Sequence, residues 1–183
     1  MHSVFVAGSR ALSKLNAQVE ARLENIVKQN FTVLVGDANG ADKALQRYLA
    51  ERGYERVIVY CMDVCRNNVG NWPTHAHTAE SCVRHDRQYY GIKDLAMAKD
   101  ASCGFMIWDG ASKGTVINVM NLVKAEKKVL LYSAPKKHFF TVRTSGDLNH
   151  ALSASGIKNV DAFLASLGTK SEESGHLHFA FHS

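Results

Sequence analysis

Five short apolar runs of strand type punctuate this chain: Val4–Ala7, Phe31–Val35, Arg56–Tyr60, Cys103–Trp108 and Val129–Tyr132. They are continuous rather than alternating, which is what a sheet needs when helices cover both of its faces. Most of them stop at small and polar residues, after which the apolar spacing switches to a helical period. A helical pattern opens near Ser13 and carries Leu15, Val19, Leu23, Ile26 and Val27. A second carries Ala44, Leu45, Tyr48 and Leu49, with Gly53 placed as a C-terminal cap. A third resumes near Cys82 and runs towards Lys99, and a fourth is marked by Val116, Val119, Met120 and Val123. This alternation predicts an α/β fold, a Rossmann-like, doubly wound, mainly parallel sheet with helices on both faces.

The rest of the chain departs from that rhythm. Residues 62–82 read as a long polar loop with an exposed tryptophan, Trp72, and a loop of that length is usually functional or disordered. Pro135-Lys136-Lys137 marks a boundary. It divides a Rossmann-like ligand-binding domain over 1–134 from a small C-terminal α(+β) extension over 135–183. The extension holds an edge strand at Phe139–Val142 and two brief helical patterns. One contains Leu148 and Leu152, the other Val160, Phe163, Leu164 and Leu167. The polar, histidine-bearing end from Lys170 to Ser183 is either a frayed tail or a pairing strand.

At 46% hydrophobic and 21% charged residues, the chain has enough apolar surface to fold and belongs with globular domains. No apolar run nears the roughly 18 residues of a membrane span, and no signal peptide pattern precedes the first strand. Cys61, Cys65, Cys82 and Cys103 therefore read as reduced thiols of a cytoplasmic protein. The net charge of +5 suits anionic ligands and permits nucleic acid. However, the basic residues are scattered, with pairs only at 127–128 and 136–137, so nucleic acid is the least favoured partner.

Ligands of open parallel sheets bind beyond the carboxyl ends of the strands, at the switch point in strand order. Three loops leave strands at that edge: Gly8-Ser9-Arg10, Gly36 to Asp42, and Asp109 to Thr115. In the last, Gly110, Ser112 and Gly114 let backbone N–H groups approach a ligand, and Thr115 is placed to cap the following helix. Arg10 offers a forked contact to phosphate or carboxylate, and Lys113 a point charge. Gly36 and Gly40 bracket Asp37 and Asn39, which with Asp42 can accept from ribose hydroxyls or base amino groups. Taken one at a time, each of these residues has an ordinary role in a turn, on a solvated surface or at a helix start. Convergence of all three loops makes a phosphate-bearing small ligand the better joint explanation.

Other constellations carry less. Cys61, Cys65, His75, His77, Cys82 and His85 are zinc-type ligands without zinc-site spacing, so no metal is expected. Cys61 and Cys103 read as packed thiols, and Trp72 either stacks on a ligand base or staples its loop to the domain. No Walker A sequence, nucleophile elbow or dinucleotide fingerprint occurs, so no cofactor is implied.

The motifs Val-Ala-Gly-Ser-Arg at 6–10, Val-Gly-Asp-Ala-Asn-Gly-Ala-Asp at 35–42 and Trp-Asp-Gly-Ala-Ser-Lys-Gly-Thr at 108–115 resemble the SLOG superfamily, most nearly its YspA/YpsA-like branch. Lys93-Asp94-Leu95-Ala96-Met97-Ala98-Lys99-Asp100 fits as well, and the likeness covers about residues 3–133. The resemblance implies a Rossmann-like sheet that binds nucleotides or nucleotide-derived ligands, and proteins of this kind often pair as homodimers. A related branch, the LOG phosphoribohydrolases, cleaves N-glycosidic bonds with a glutamate and an arginine. Asn118 and Lys93 stand at those two positions here. Asn cannot supply a carboxylate, and Lys lacks the planar fork.

The leading expectation is therefore a nucleotide-ligand sensor or carrier. An N-glycosidic hydrolase or transferase is the alternative, with Asp37, Asp109 and Lys93 as catalytic candidates and Asp42 or Asp86 as further carboxylates. Single-stranded nucleic-acid binding is third, because the DNA-processing protein DprA resembles the same superfamily.

Overall fold

The computed structural model describes residues 2–79 and 87–168. Among these residues seven strands form one sheet: β1 (Ser3–Gly8), β2 (Thr32–Gly36), β3 (Val57–Met62), β4 (Thr74–His77), β5 (Cys103–Trp108), β6 (Val129–Ser133) and β7 (His138–Val142). Their spatial order is β4-β3-β2-β1-β5-β6-β7. All neighbours are parallel except β6 and β7, which pair antiparallel. The chain builds outward from β1 to β4, then crosses back and builds outward on the other side from β5. The reversal falls between β1 and β5, where Gly8 lies in register with Ile107.

Among the described residues six helices accompany the sheet: α1 (Ala17–Lys28), α2 (Ala41–Glu51), α3 (Arg87–Asp100), α4 (Lys113–Lys124), α5 (Ser145–Ala154) and α6 (Val160–Gly168). On one face, Val19 and Leu23 of α1 and Leu45, Tyr48 and Leu49 of α2 pack on Val6, Val35 and Ile107. On the other, α3, α4 and α5 place Met97, Val116, Val119 and Leu152 against Phe5, Met106 and Trp108. Both faces are apolar along each central strand, which is why those runs are continuous in sequence. The doubly wound α/β fold is as expected. After Pro135, β7 extends the same sheet, and Phe163 of α6 packs edge-on to Trp108.

Several local expectations are corrected. Within residues 62–82, Thr74–His77 forms a fourth strand beside β3 rather than loop. Trp72 is 8% exposed, not on the surface. Its ring joins the core of the α1/α2 face and its Nε1 donates to Tyr54 O at 2.8 Å, so it staples the loop and is unavailable for stacking. The first helix begins at Ala17, because the Asn16 side chain accepts from Val19 N and caps it there. The start near Cys82 and the tail from Lys170 lie outside the described residues.

Gly8 shows how tightly the switch point is closed. A Cβ there would sit 2.6 Å from Ile107 O and 2.8 Å from Ala41 Cβ. At Gly114 a Cβ meets nothing within 4 Å. Gly8→Ala should lower stability by about 1–3 kcal/mol through overpacking. Gly114→Ala should raise it by up to about 1 kcal/mol through helix propensity. Urea denaturation of the two variants checks the contrast.

Candidate functional site

Ser9, the first residue beyond β1, ties three loops together. Its N–H donates to Ile107 O at 3.0 Å, and its carbonyl accepts from Leu12 N at 3.1 Å and Ala41 N at 3.2 Å. Its hydroxyl donates to Asp109 Oδ2 at 2.6 Å and accepts from Ala11 N at 3.2 Å. The loops after β1, β2 and β5 are thereby held at one place, above the switch point.

Asp109 organises the third loop from within. Its Oδ1 accepts from Ala111 N at 3.0 Å and Ser112 N at 2.7 Å. Burial alone would raise its carboxyl, but the bonds from Ser9, Ser112 and Ala111 outweigh that and hold it below the usual carboxylate range. Two amides of the expected cradle are thus committed to Asp109. Thr115 is not the cap either. Ser112 holds that position, and its side chain accepts from Thr115 N. Thr115 is buried within the first turn of the helix, and its hydroxyl donates to Ser112 Oγ. The amides left open are those of Lys113 and Gly114, the first two of α4, which have no acceptor among the described residues. Gly110 is required by its backbone, φ +91, and by Pro135, which a Cβ would crowd at 2.7 Å. The Lys113 ammonium donates to Ser166 O at 3.1 Å, so it reaches towards α6.

A second group lies beyond β2. Gly36 ends the strand, and a Cβ there would collide with Asp42 Oδ2 and lie 2.8 Å from Lys93 Nζ. Asp42 comes from the first turn of α2 and Lys93 from α3, so two helices converge over one glycine. Lys93 is 4% exposed. Its Nζ is 2.9 Å from Asp94 Oδ1 and 3.9 Å from Asp37 Oδ1. Burial pulls its pKa down, but Asp94, Asp42 and Asp37 together carry it above the ordinary lysine value. Asp37 is 1% exposed and is gripped by Arg66. The guanidinium reaches both carboxylate oxygens, Nη2 to Oδ1 at 2.6 Å and Nε to Oδ2 at 3.0 Å, and the Arg66 backbone N–H adds a third bond at 3.0 Å. Against the upward push of burial, these bonds and the Lys93 and Arg66 charges keep Asp37 below its usual value. Asp42 has weaker support, a single bond from Ala38 N at 3.3 Å. Burial pushes it up to about 6, with Lys93 opposing and Asp94 adding to the rise.

The two groups adjoin. Gly40 has φ +81, and a Cβ there would run into the Arg10 backbone. The Arg10 side chain is exposed and has no partner among the described residues. Asn39 is exposed as well and accepts from Asn67 Nδ2 at 3.2 Å. Asn118 of α4 is buried, and its Oδ1 has no hydrogen-bond partner among the described residues.

Sequence reasoning did not pick out Arg66, Asn67, Gln46 or Tyr90. Arg66 lies over the Tyr90 ring, 4.3 Å from its centroid. Asn67 Nδ2 donates to Asp37 O at 2.7 Å. Gln46 Nε2 bridges Gly36 O and Asn67 O. The available signal was a glutamine on the apolar face of α2, where a polar residue needs a specific partner.

The thiol assignment is also corrected. Cys61, at the end of β3, is disulfide-bonded to Cys65, with Cα atoms 5.1 Å apart. Cys103 alone is a free thiol among the described residues. His75 and His77 stack on each other at 4.6 Å and lie against Tyr60. Cys82, His85 and Asp86 lie outside the described residues. A separate surface groove of about 380 Å³, lined by Leu95, Lys99, Lys124 and Lys127, sits at the carboxyl ends of α3 and α4, away from these loops. Among the described residues no helix is long and apolar enough to cross a membrane.

No protein family, curated protein or solved structure matches this chain.

The raised Asp42 has a definite consequence for stability. With a folded value near 6 against an ordinary 3.8, the folded state binds the proton more tightly. Its contribution is full below about pH 4 and is lost as pH rises through about 6. Asp42→Asn removes that dependence. The stability of the variant relative to the natural chain should therefore increase by up to about 3 kcal/mol between pH 4 and pH 7. A flat difference across that range in urea titrations would contradict the assignment.

Proposed function

We propose that this protein binds a nucleotide or nucleotide-derived, phosphate-bearing small ligand at the carboxyl edge of its sheet, as a sensor or carrier. The observation that carries the reading is the tying of three loops by Ser9 beside an open anion-binding end. The N–H groups of Lys113 and Gly114 are open at the positive end of α4, and the Arg10 guanidinium, without a partner among the described residues, lies on the neighbouring loop. Those groups suit phosphate. The buried Asp42 and Lys93, with Asp37, suit the hydroxyl or amino groups at the other end of such a ligand. The resemblance of these loops to SLOG proteins supports the same ligand class. The cytoplasm is the compartment this reading favours, since nucleotides are abundant there. Thiols are kept reduced in that compartment, so a Cys61–Cys65 bridge there is expected to be transient.

Incubation of the full chain with mixed nucleotides and nucleosides, with mass spectrometry of bound and free fractions, tests the proposal. One phosphate-bearing species should be retained unchanged. Gly114→Ala, which adds a methyl beside the open amides, should weaken retention by about ten-fold or more while leaving the fold intact. Retention of nothing, or equal retention by the variant, would count against the site.

One observation favours an enzyme instead. A carboxyl at about 6 beside a lysine is tuned for proton transfer near neutral pH. Asp42 would then protonate the departing base as the N-glycosidic bond breaks, and water would bond to the anomeric carbon and lose a proton to solvent. Free base and ribose phosphate in the same experiment, abolished by Asp42→Asn, would select that reading.

A further inference from the structure

We infer that the Cys61–Cys65 disulfide is a redox-reversible latch that sets whether Arg66 holds Asp37 in the ligand site. The inference rests on the reading that Asp37 belongs to that site. Arg66 follows Cys65 directly in the chain. Upstream of it, Asp63 N donates to His77 O at 2.8 Å, but neither Val64 nor Cys65 has a backbone hydrogen bond to the described chain. Between Asp63 and Arg66 the covalent tie to the sheet is the disulfide. Arg66 then makes three bonds to the Asp37 carboxylate, and Asn67 makes one to the Asp37 carbonyl. A five-residue ring thus delivers the partner of the most buried carboxylate of the site.

The bridge is open to chemistry on one side only. Cys61 is fully buried on β3, whereas Cys65 is partly exposed and adjoins Val64, which is 81% exposed. A thiolate of a dithiol reductant can attack Cys65 Sγ, and Cys61 leaves as a thiolate. The second thiol of the reductant then attacks the mixed disulfide and releases Cys65. Two electrons and two protons pass to the protein, which gains two thiols, and the reductant becomes a disulfide. Released from Cys61, the backbone at 64–66 regains its conformational freedom, and the Arg66 fork on Asp37 must be held against that entropy. Asp37 is left with Lys93, 3.9 Å away and already bonded to Asp94.

The test uses the full chain, oxidised and then treated with dithiothreitol, with alkylation and mass spectrometry to count thiols. The readouts need no ligand. They are the titration midpoint of the Asp37 carboxyl by carbon NMR and the exchange rate of the Arg66 amide hydrogen. On reduction the midpoint should rise by about one pH unit or more, and the amide should exchange about ten-fold faster or more. Both should reverse with oxidised glutathione. Cys65→Ser, at the partly exposed position, should behave as the reduced protein with or without dithiothreitol. A bridge that resists dithiothreitol in the folded protein, or an Asp37 midpoint and Arg66 exchange indifferent to reduction, would overturn the latch. Adenosine monophosphate serves as a separate probe, with an expected change in affinity of about five-fold or more between the two states. If Asp37 and Arg66 respond but the probe binds in neither state, the latch stands and the nucleotide reading fails.

Discussion

The hydrogen bonds that radiate from Ser9 hold the site in one piece. Its amide continues the β1–β5 pairing one residue past the strand, its carbonyl receives the first amide of α2, and its hydroxyl binds Asp109. A parallel sheet with a reversal between β1 and β5 leaves a crevice there, because the flanking connections run to opposite sides. Without a residue that bonds in all three directions, the loops would leave that crevice independently. Gly8 and Gly40 make the arrangement possible. A Cβ at Gly8 would push β1 from Ile107 and from Ala41 of α2, and one at Gly40 would push the loop after β2 from Arg10 in the loop after β1.

The ionic group below the loops is built on different terms. Asp37, Asp42 and Lys93 are all buried, and removing such charges from water costs several kcal/mol each unless partners replace the lost hydration. Asp37 is compensated by a bidentate arginine and Lys93 by an adjacent carboxylate. Asp42 is the member with the least compensation, and burial pushes its carboxyl up to about 6 as a result. The protonated form of Asp42 is the one the fold accommodates most readily, so this cluster makes the stability of the chain depend on pH. Gly36 is the physical reason the cluster is compact, since any side chain there would push Asp42 and Lys93 apart.

The periodic parts of the chain were legible and the aperiodic parts were not. Continuous apolar runs identified β1, β2, β3, β5 and β6 because burial on both faces leaves no other composition open to them. The loops after β1, β2 and β5 were legible from their glycines and acids. β4 was not, since Thr74–His77 is largely exposed at a sheet edge and lacks an apolar pattern. Trp72 looked exposed because its neighbours are polar, yet a single bond to Tyr54 O lets its indole enter the core. Ser112 and Thr115 are equally good caps by type, and the choice between them follows from Asp109 bonding the Ser112 amide. The Arg66–Asp37 pair joins residues far apart in sequence, and nothing local announces it. The Cys61–Cys65 bond escaped notice because a four-residue separation matches no familiar redox or metal spacing.

Amide chemical shifts of the isotopically labelled chain, followed through a titration with adenosine monophosphate, test the central claim that three loops form one site for a phosphate-bearing ligand. The account predicts saturable shifts at Ser9, Arg10 and Ala11, at Ala38 to Ala41, and at Lys113 and Gly114, moving together with a single affinity. Shifts gathered instead at the Lys99–Lys127 groove or along β4, or no saturable shifts at the three loops, would contradict it.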